Sequence, residues 1–111
     1  MPVNFNDPFS DYTVAYVLIK TNPGKESTVA EQITNLYDTT EDTGPVWATV
    51  VTGDYNVIVA LRQYDEDEIW VKVEEIHGIE GVREVHTCIS SQYWQTGQSI
   101  NTMTKLVNGL P

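Results

Sequence analysis

Residues 46–63 read VWATVVTGDYNVIVALRQ and contain two apolar runs separated by a turn signal. The runs Val46–Thr52 and Asn56–Gln63 are rich in valine, alanine and isoleucine, and β-branched residues favour strands. Between them lies Gly53-Asp54-Tyr55. Glycine and aspartate are common in tight turns, because glycine adopts positive φ angles without strain and aspartate bonds to nearby backbone groups. The stretch therefore predicts two antiparallel strands joined by a short turn.

Upstream of this pair, the pattern predicts a strand followed by a helix. Thr13–Lys20 is β-branched and apolar on both of its alternating faces, which favours a strand. Asn22 is a candidate helix cap, and Pro23 then occupies a first helical position where its missing N–H costs nothing. Apolar residues recur at helical spacing after it, and we expect a helix over about Gly24–Tyr37.

Downstream, the pattern predicts a second helix and a last strand. Asp65 is a candidate N-cap, and Glu68 three residues later completes a pair that resembles a capping box. Gly78 is placed to end the helix in a left-handed conformation. The last strand is expected over Val82 to about Ser91. The order of elements is thus β-α-β-β-α-β, an α+β domain.

The predicted strands are apolar on both faces, which a half-solvated antiparallel sheet would not be. In β-α-β-β-α-β connections, both helices lie on the same side of the sheet. The other face then requires a different cover, and a second copy of the chain is the simplest one. The alternation is clearest in the first strand, where Ala15, Val17 and Ile19 alternate with Val14, Tyr16 and Leu18.

The composition limits the classes of function. The 111 residues suffice for one domain, and their formal net charge of -10 would repel the phosphates of nucleic acid. Cys88 is the only cysteine, so no intrachain disulfide forms, which suits a reducing cytoplasm. Neither a signal peptide nor an apolar run near the 20 or so residues of a membrane helix is evident. These features predict a soluble, cytoplasmic protein that does not itself bind nucleic acid or membranes.

Five short stretches, in this order, resemble the effector-binding domain of the Lrp/AsnC (feast/famine) transcriptional regulators, also called the RAM domain. They are Ala15-Tyr16-Val17-Leu18-Ile19, Pro23-Gly24-Lys25, Val51-Thr52-Gly53-Asp54-Tyr55-Asn56-Val57, Ile79-Glu80-Gly81-Val82 and His86-Thr87. The resemblance implies a ferredoxin-like fold of the dimeric α/β-barrel type. It also implies sheet-to-sheet dimers, rings of dimers, and an amino-acid-like effector bound where dimers meet.

The resemblance also divides the chain. It covers residues 13–91, the expected ligand-binding domain, and leaves 1–12 as an N-terminal arm and 92–111 as a C-terminal extension. Twelve residues cannot hold the three helices of the family's helix-turn-helix domain, so a stand-alone ligand-binding module is expected, acting alone or joined with full-length Lrp/AsnC regulators. In the extension, Ile100, Met103 and Val107 lie at helical spacing and favour a short helix.

By the same resemblance, the ligand contacts the turn Thr52-Gly53-Asp54-Tyr55. Gly53 lets the backbone approach a ligand, exposed N–H groups form an anion-binding concavity, and Asp54 pairs with an α-ammonium group. The family usually has an Asp where this chain has Asn56, which weakens any preference for a basic ligand. On the last strand, the family's two threonines correspond to Val85 and Thr87, so that one hydroxyl is lost.

Other interpretations stay open at this stage. Asp54 is explained equally well as a residue that stabilises its turn, Tyr55 as a packing residue, and Thr87 as an ordinary strand residue. His77 and His86 lie among carboxylates, but two distant histidines are weak support for a metal site, and we expect neither a metal nor a cofactor. We expect a binding module rather than an enzyme; the alternatives are a small cofactor-free monooxygenase of the same dimeric barrel type and an ACT-like regulatory domain.

Overall fold

The computed structural model describes residues 12–94. The expectations for the N-terminal arm before Tyr12 and for a helix in the C-terminal extension lie outside the described residues. Within the described part, the order is β-α-β-β-α-β, as predicted. The elements are β1 (Thr13–Thr21), α1 (Glu26–Thr34), β2 (Gly44–Val50), β3 (Val57–Gln63), α2 (Glu66–His77) and β4 (Val82–Ile89).

The strands form one antiparallel sheet in the order β2-β3-β1-β4. The two central strands are therefore β1 and β3, and β2 and β4 form the edges. This is the ferredoxin-like arrangement expected from the sequence. The register opposes Val17 of β1 to Val59 of β3 on one side and to Thr87 of β4 on the other.

The hydrophobic core lies between the helices and one face of the sheet. Ile33 of α1 and Ile69 and Ile76 of α2 are fully buried against it. The strands contribute every second residue, because alternate side chains of a strand point to the same face. The buried strand residues of this core are Ala15, Val17, Ile19, Val57, Val59 and Leu61.

The opposite face of the sheet, called the open face here, is apolar at its centre and charged at both ends. Ala60 is buried within one chain, Leu18 and Ile58 are half-buried, and Trp47 of β2 is exposed. The register places on this face Tyr16, Leu18 and Lys20 of β1, Trp47 and Thr49 of β2, Ile58, Ala60 and Arg62 of β3, and Glu84, His86 and Cys88 of β4.

The first helix is shorter than the sequence predicts. It covers Glu26–Thr34, and its N-cap is Lys25 without a side-chain cap bond, so the expected cap at Asn22 is wrong. The carbonyl of Asn22 instead accepts the N–H of Lys25 in a turn. The expected extension to Tyr37 is also wrong: after Thr34 the chain turns, and the Tyr37 hydroxyl accepts a bond from Arg62. Tertiary contacts of Tyr37 thus override its helical spacing.

The second helix agrees with its predicted start, but its end differs. Asp65 is the N-cap, and its carboxylate accepts the N–H of Glu68 at 2.9 Å. Gly78 ends the helix with φ -79°, a right-handed conformation, so the predicted left-handed glycine is wrong at this position. The N–H of Gly78 continues the helical pattern by donating to Glu74 and Glu75, and no left-handed residue is required there.

The strand β2 is displaced by two residues from its predicted position. It begins at Gly44, where an irregularity between Pro45 and Trp47 shifts the register, and it ends at Val50 rather than Thr52. Gly44 has φ +110°, and a Cβ placed on it would lie 3.0 Å from the carbonyl oxygen of Leu36. The close passage of the loop after α1 therefore fixes where β2 starts, and the polar loop composition does not reveal this.

Candidate functional site

The connection between β2 and β3 is longer than a tight turn. Beyond the last pair of the ladder, the N–H of Val51 donates to the carbonyl of Asn56 at 2.8 Å. Thr52-Gly53-Asp54-Tyr55, called the β2–β3 turn here, extends past this bond. Gly53 has φ +147°, and a Cβ built on it would meet nothing within 4 Å. The turn is thus an exposed projection at one end of the sheet, and its glycine leaves open space in front of the backbone.

The polar groups of this turn are not used to hold the fold. Within residues 12–94, neither the backbone N–H groups of the β2–β3 turn nor the Asp54 carboxylate forms a hydrogen bond. Asp54 is exposed and has no ion-pair partner among these residues. Free backbone N–H groups can donate hydrogen bonds to the carboxylate of an amino acid, and the free carboxylate of Asp54 can accept them from its ammonium group.

Asn56, predicted as a ligand contact, forms two hydrogen bonds with β1. Its backbone N–H donates to the carbonyl of Ile19 at 2.9 Å, and its side-chain oxygen accepts the N–H of Thr21 at 2.8 Å. Thr21 is 4% exposed, so its N–H has little access to water. An Asp at this position would offer the same oxygen acceptor. Asn56 therefore forms this bond without the negative charge that an Asp would carry.

Tyr55 brings the turn into contact with charged side chains of the open face. Its ring meets the His86 ring edge to face, with centroids 5.6 Å apart, and the ammonium of Lys20 lies 5.6 Å from the Tyr55 centroid. Glu84 joins these two groups: its Oε1 is 2.7 Å from His86 Nε2, and its Oε2 is 3.8 Å from Lys20 Nζ. We call Lys20, Glu84 and His86 the β1–β4 charge cluster.

The β1–β4 charge cluster has an electrostatic effect on its carboxylate. The hydrogen bond from His86, followed by the charge of Lys20, holds the pKa of Glu84 below its ordinary value. This cluster was not predicted from the sequence. A signal was available, because Glu84 and His86 stand two apart on a predicted strand and so share a face. The contribution of Lys20 depends on the register of β1 against β4, which the sequence does not give.

The two predicted contacts on β4 lie on the other side of the sheet. Val85 is opposite Ile19 and Thr87 is opposite Val17, both core residues. Val85 packs against the hydrophobic core, and both side chains are half-buried. The structure thus groups Tyr55 with His86 on the open face, whereas Val85 and Thr87 point to the helical side.

A second polar cluster, at the opposite end of β3, serves the fold. The Arg62 guanidinium donates to the Tyr37 hydroxyl at 3.1 Å and to Asp42 at 3.0 Å, and it lies 4.7 Å from the centroid of the Tyr12 ring. Tyr64 stacks on Tyr12 with centroids 5.4 Å apart. These contacts tie the loop before β2 to the end of β3.

The described residues contain no group of three or more His, Cys, Asp or Glu side chains arranged to hold a metal ion. His77 is exposed at the last residue of α2, and His86 lies on β4. Between residues 12 and 94, the structure also has no helix long and apolar enough to cross a membrane.

Sequence comparison connects this fold to known regulators. Over 76 residues, the chain is 34% identical to the HTH-type transcriptional regulator FL11 of Pyrococcus furiosus, an alignment that covers 68% of this chain and 46% of FL11. The chain is related to the Lrp/AsnC regulators. It thus spans about half the length of the Lrp/AsnC relative that it matches. No family model matches the sequence.

Several solved structures, AsnC among them, share the fold. AsnC of Escherichia coli superposes with a TM-score of 0.62 at 18% identity, covering 86% of this chain and 61% of AsnC. The protein FFRP-DM1 gives 0.59 at 25% identity, with 71% of this chain and 99% of the other covered. TTHA0845 of Thermus thermophilus gives 0.65 at 24% identity, with 76% and 99% covered. At these low identities the AsnC and TTHA0845 matches establish the ferredoxin-like fold alone.

Proposed function

We propose that this chain is an effector-binding module of the Lrp/AsnC type that binds an amino acid or a similar zwitterion at the β2–β3 turn, without catalysing a reaction. The observation that carries the proposal is the turn itself. Its backbone N–H groups and the Asp54 carboxylate have no partner within residues 12–94, whereas the two strands of the hairpin are paired up to Val50 and Val57. Unpaired N–H groups donate hydrogen bonds to a carboxylate, and the Asp54 carboxylate accepts them from an ammonium group.

The proposal has a second half: we infer that copies of the chain associate through the open face of the sheet. Leu18 and Ile58 form a half-buried apolar centre on that face, and Trp47 is exposed at the edge strand β2. Among the described elements, the helices cover only the opposite face. A second copy of the chain would remove this apolar surface from water, and a dimer of this kind is the unit from which rings are built.

The net charge supports a role without direct contact to DNA. The chain carries sixteen acidic residues against six Lys and Arg. DNA binding depends on neutralising phosphates with cations, and a strongly negative chain opposes it. In this proposal, regulation of transcription passes through full-length Lrp/AsnC partners that share the oligomer.

Ligand binding is tested by thermal unfolding in the presence of a panel of amino acids. A ligand that binds only the folded state at 100 times its Kd adds about 2.7 kcal/mol of stability. For a domain of this size, that corresponds to a rise in Tm of roughly 10 °C or more. We expect such a rise with at least one amino acid. Absence of any concentration-dependent rise would contradict the proposed function.

The assignment to the turn is tested with Asp54→Asn and the matched control Asp67→Asn. Both changes remove one exposed carboxylate, but Asp67 lies in the first turn of α2, at the opposite end of β3 from the turn. Asp54→Asn is expected to abolish the ligand-induced rise, and Asp67→Asn to preserve it. Equal rises in both variants would place the ligand elsewhere.

Association is tested by light scattering coupled to size exclusion. The parent chain is expected to elute as a dimer or a larger even-numbered assembly, and Ile58→Glu to shift it to monomer, because a charge buried in an apolar interface is strongly disfavoured. A parent chain that is monomeric at high micromolar concentration would contradict the second half of the proposal.

A further inference from the structure

The β1–β4 charge cluster lies directly beside the candidate ligand turn. Tyr55 belongs to the turn, and its ring contacts both the imidazole of His86 and the ammonium of Lys20. Glu84 lies between these two groups, at 2.7 Å from His86 and 3.8 Å from Lys20. A change of charge at His86 therefore occurs next to a residue of the turn.

The net charge of the cluster depends on whether the His86 imidazole is protonated. Lys20 and Glu84 carry opposite charges near neutral pH, so the cluster has a net charge of zero when the imidazole is neutral. Protonation of the imidazole gives the cluster a net charge of +1, and histidine is the side chain that proteins use as a proton-linked switch near neutral pH.

The groups that face His86 come from three elements of the fold. They are Lys20 of β1, Glu84 and Cys88 of β4, and Tyr55 of the β2–β3 turn. The helices lie on the opposite side of the sheet. In the single chain, the imidazole is about half exposed, at 49% of its side-chain surface.

We propose that protonation of His86 strengthens the binding of a carboxylate-bearing ligand at the β2–β3 turn, which makes effector binding pH-dependent. The inference rests on the proposed function. The physical basis is electrostatic: a positive charge at His86 attracts the ligand carboxylate, which the free backbone N–H groups of the turn bind. One unit charge acting within a Debye length through largely solvated surroundings changes the affinity by about two- to fivefold.

The test measures Kd by calorimetry at pH 5.5 and pH 8.0 with three named probes: L-glutamate, L-leucine and L-lysine. Each keeps its α-carboxylate and α-ammonium charges across most of this range. For every probe that binds, the parent chain is expected to show a roughly two- to fivefold lower Kd at pH 5.5, the range expected for one added charge. His77→Gln, which removes the exposed histidine of α2, is expected to keep that difference.

Two variants at position 86 separate charge from structure. His86→Gln is neutral at both pH values, and its Kd should equal that of the parent at pH 8.0 and remain unchanged at pH 5.5. His86→Lys is positive at both values, and its Kd should match that of the parent at pH 5.5 throughout. Circular dichroism at both pH values checks that each variant is folded.

The outcomes distinguish this inference from the proposed function. Binding with the same pH dependence in the parent and in His86→Gln would overturn the role of His86 and leave the ligand turn intact. Binding that weakens at low pH would overturn the sign of the effect. Failure of every amino acid in the thermal test, together with failure of the three probes here, would overturn the proposed function and this inference with it.

Discussion

Removal of the Asn56 side chain is expected to destabilise the domain, because that side chain completes the hydrogen bonding of a central strand. Its oxygen accepts the N–H of Thr21 at 2.8 Å, and Thr21 is 4% exposed. In Asn56→Ala, this N–H loses its acceptor and has little access to water. An unsatisfied buried donor costs about 1–3 kcal/mol. For a domain of this size, such a loss lowers Tm by roughly 4–20 °C.

The matched variant is Asn56→Asp, which keeps an oxygen at the same position. A carboxylate accepts a backbone N–H at least as well as an amide does, so the free energy of unfolding should stay within about 0.5 kcal/mol of the parent. Urea unfolding followed by circular dichroism at one protein concentration measures both variants. Hydrogen exchange of the Thr21 amide gives a local readout, which should accelerate in Asn56→Ala only.

Two results would refute this reasoning. The first is a loss below about 0.5 kcal/mol in Asn56→Ala, which would mean that water replaces the side chain at Thr21. The second is an equal loss in Asn56→Ala and Asn56→Asp, which would mean that the amide group as a whole matters, rather than its oxygen acceptor.

Three further changes have defined expectations. Gly44→Ala places a Cβ 3.0 Å from the carbonyl oxygen of Leu36 at φ +110°, and should cost about 1–3 kcal/mol in urea unfolding. Asp65→Ala removes the N-cap of α2 and should cost about 0.5–2 kcal/mol in the same assay. The pKa of Glu84 is lowered in the folded state, so its stabilisation is complete above the ordinary value of 4.5 and is lost as pH falls through the lower folded value. When the pH is lowered from above the ordinary pKa of Glu84 to below its pKa in the folded protein, the parent should lose more stability than Glu84→Gln does. Urea unfolding at each pH measures the difference.

Each of these expectations has a control or a contradicting outcome. Gly78→Ala is the control for Gly44→Ala, because Gly78 has φ -79° and its nearest neighbours are 3.6 Å from an added Cβ. It should leave stability unchanged or raise it by up to about 1 kcal/mol. A fully stable Asp65→Ala would mean that another group caps α2. Identical acid profiles for the parent and Glu84→Gln would mean that the bond to His86 has no effect on folding.

The sequence predicted the elements that depend on local pattern. The order of strands and helices, the start of α2 at Asp65 and the apolar faces of β1 all follow from spacing and from side chains that bond to their own backbone. The boundaries that failed are those where a distant contact competes with local preference. Tyr37 leaves the helical path to meet Arg62, and Gly44 starts β2 because the backbone of Leu36 passes close to it.

In the candidate site, too, local pattern predicts some features and contacts between distant residues decide the others. The exposed turn was predicted because Gly53 and Asp54 carry a local signal. The role of Asn56 was not, since its partner Thr21 is thirty-five residues away. Whether the residues of the turn and its end contact a ligand, and whether the two β4 residues do so from the helical side, stays a prediction that the ligand experiments address. The predicted contacts are Thr52, Gly53, Asp54, Tyr55, Asn56, Val85 and Thr87.

The sequence by itself determined the class of the domain, its acidic charge and the position of its exposed turn, because these depend on composition and on residues near one another in the chain. Only the tertiary structure decided which side chains share a site. The antiparallel register sets Lys20 opposite Glu84 and brings His86 to the Tyr55 ring, whereas it turns Val85 and Thr87 toward the helices. A shift of one residue would reverse those faces, and since pairing between distant strands fixes that register, no local pattern reveals it.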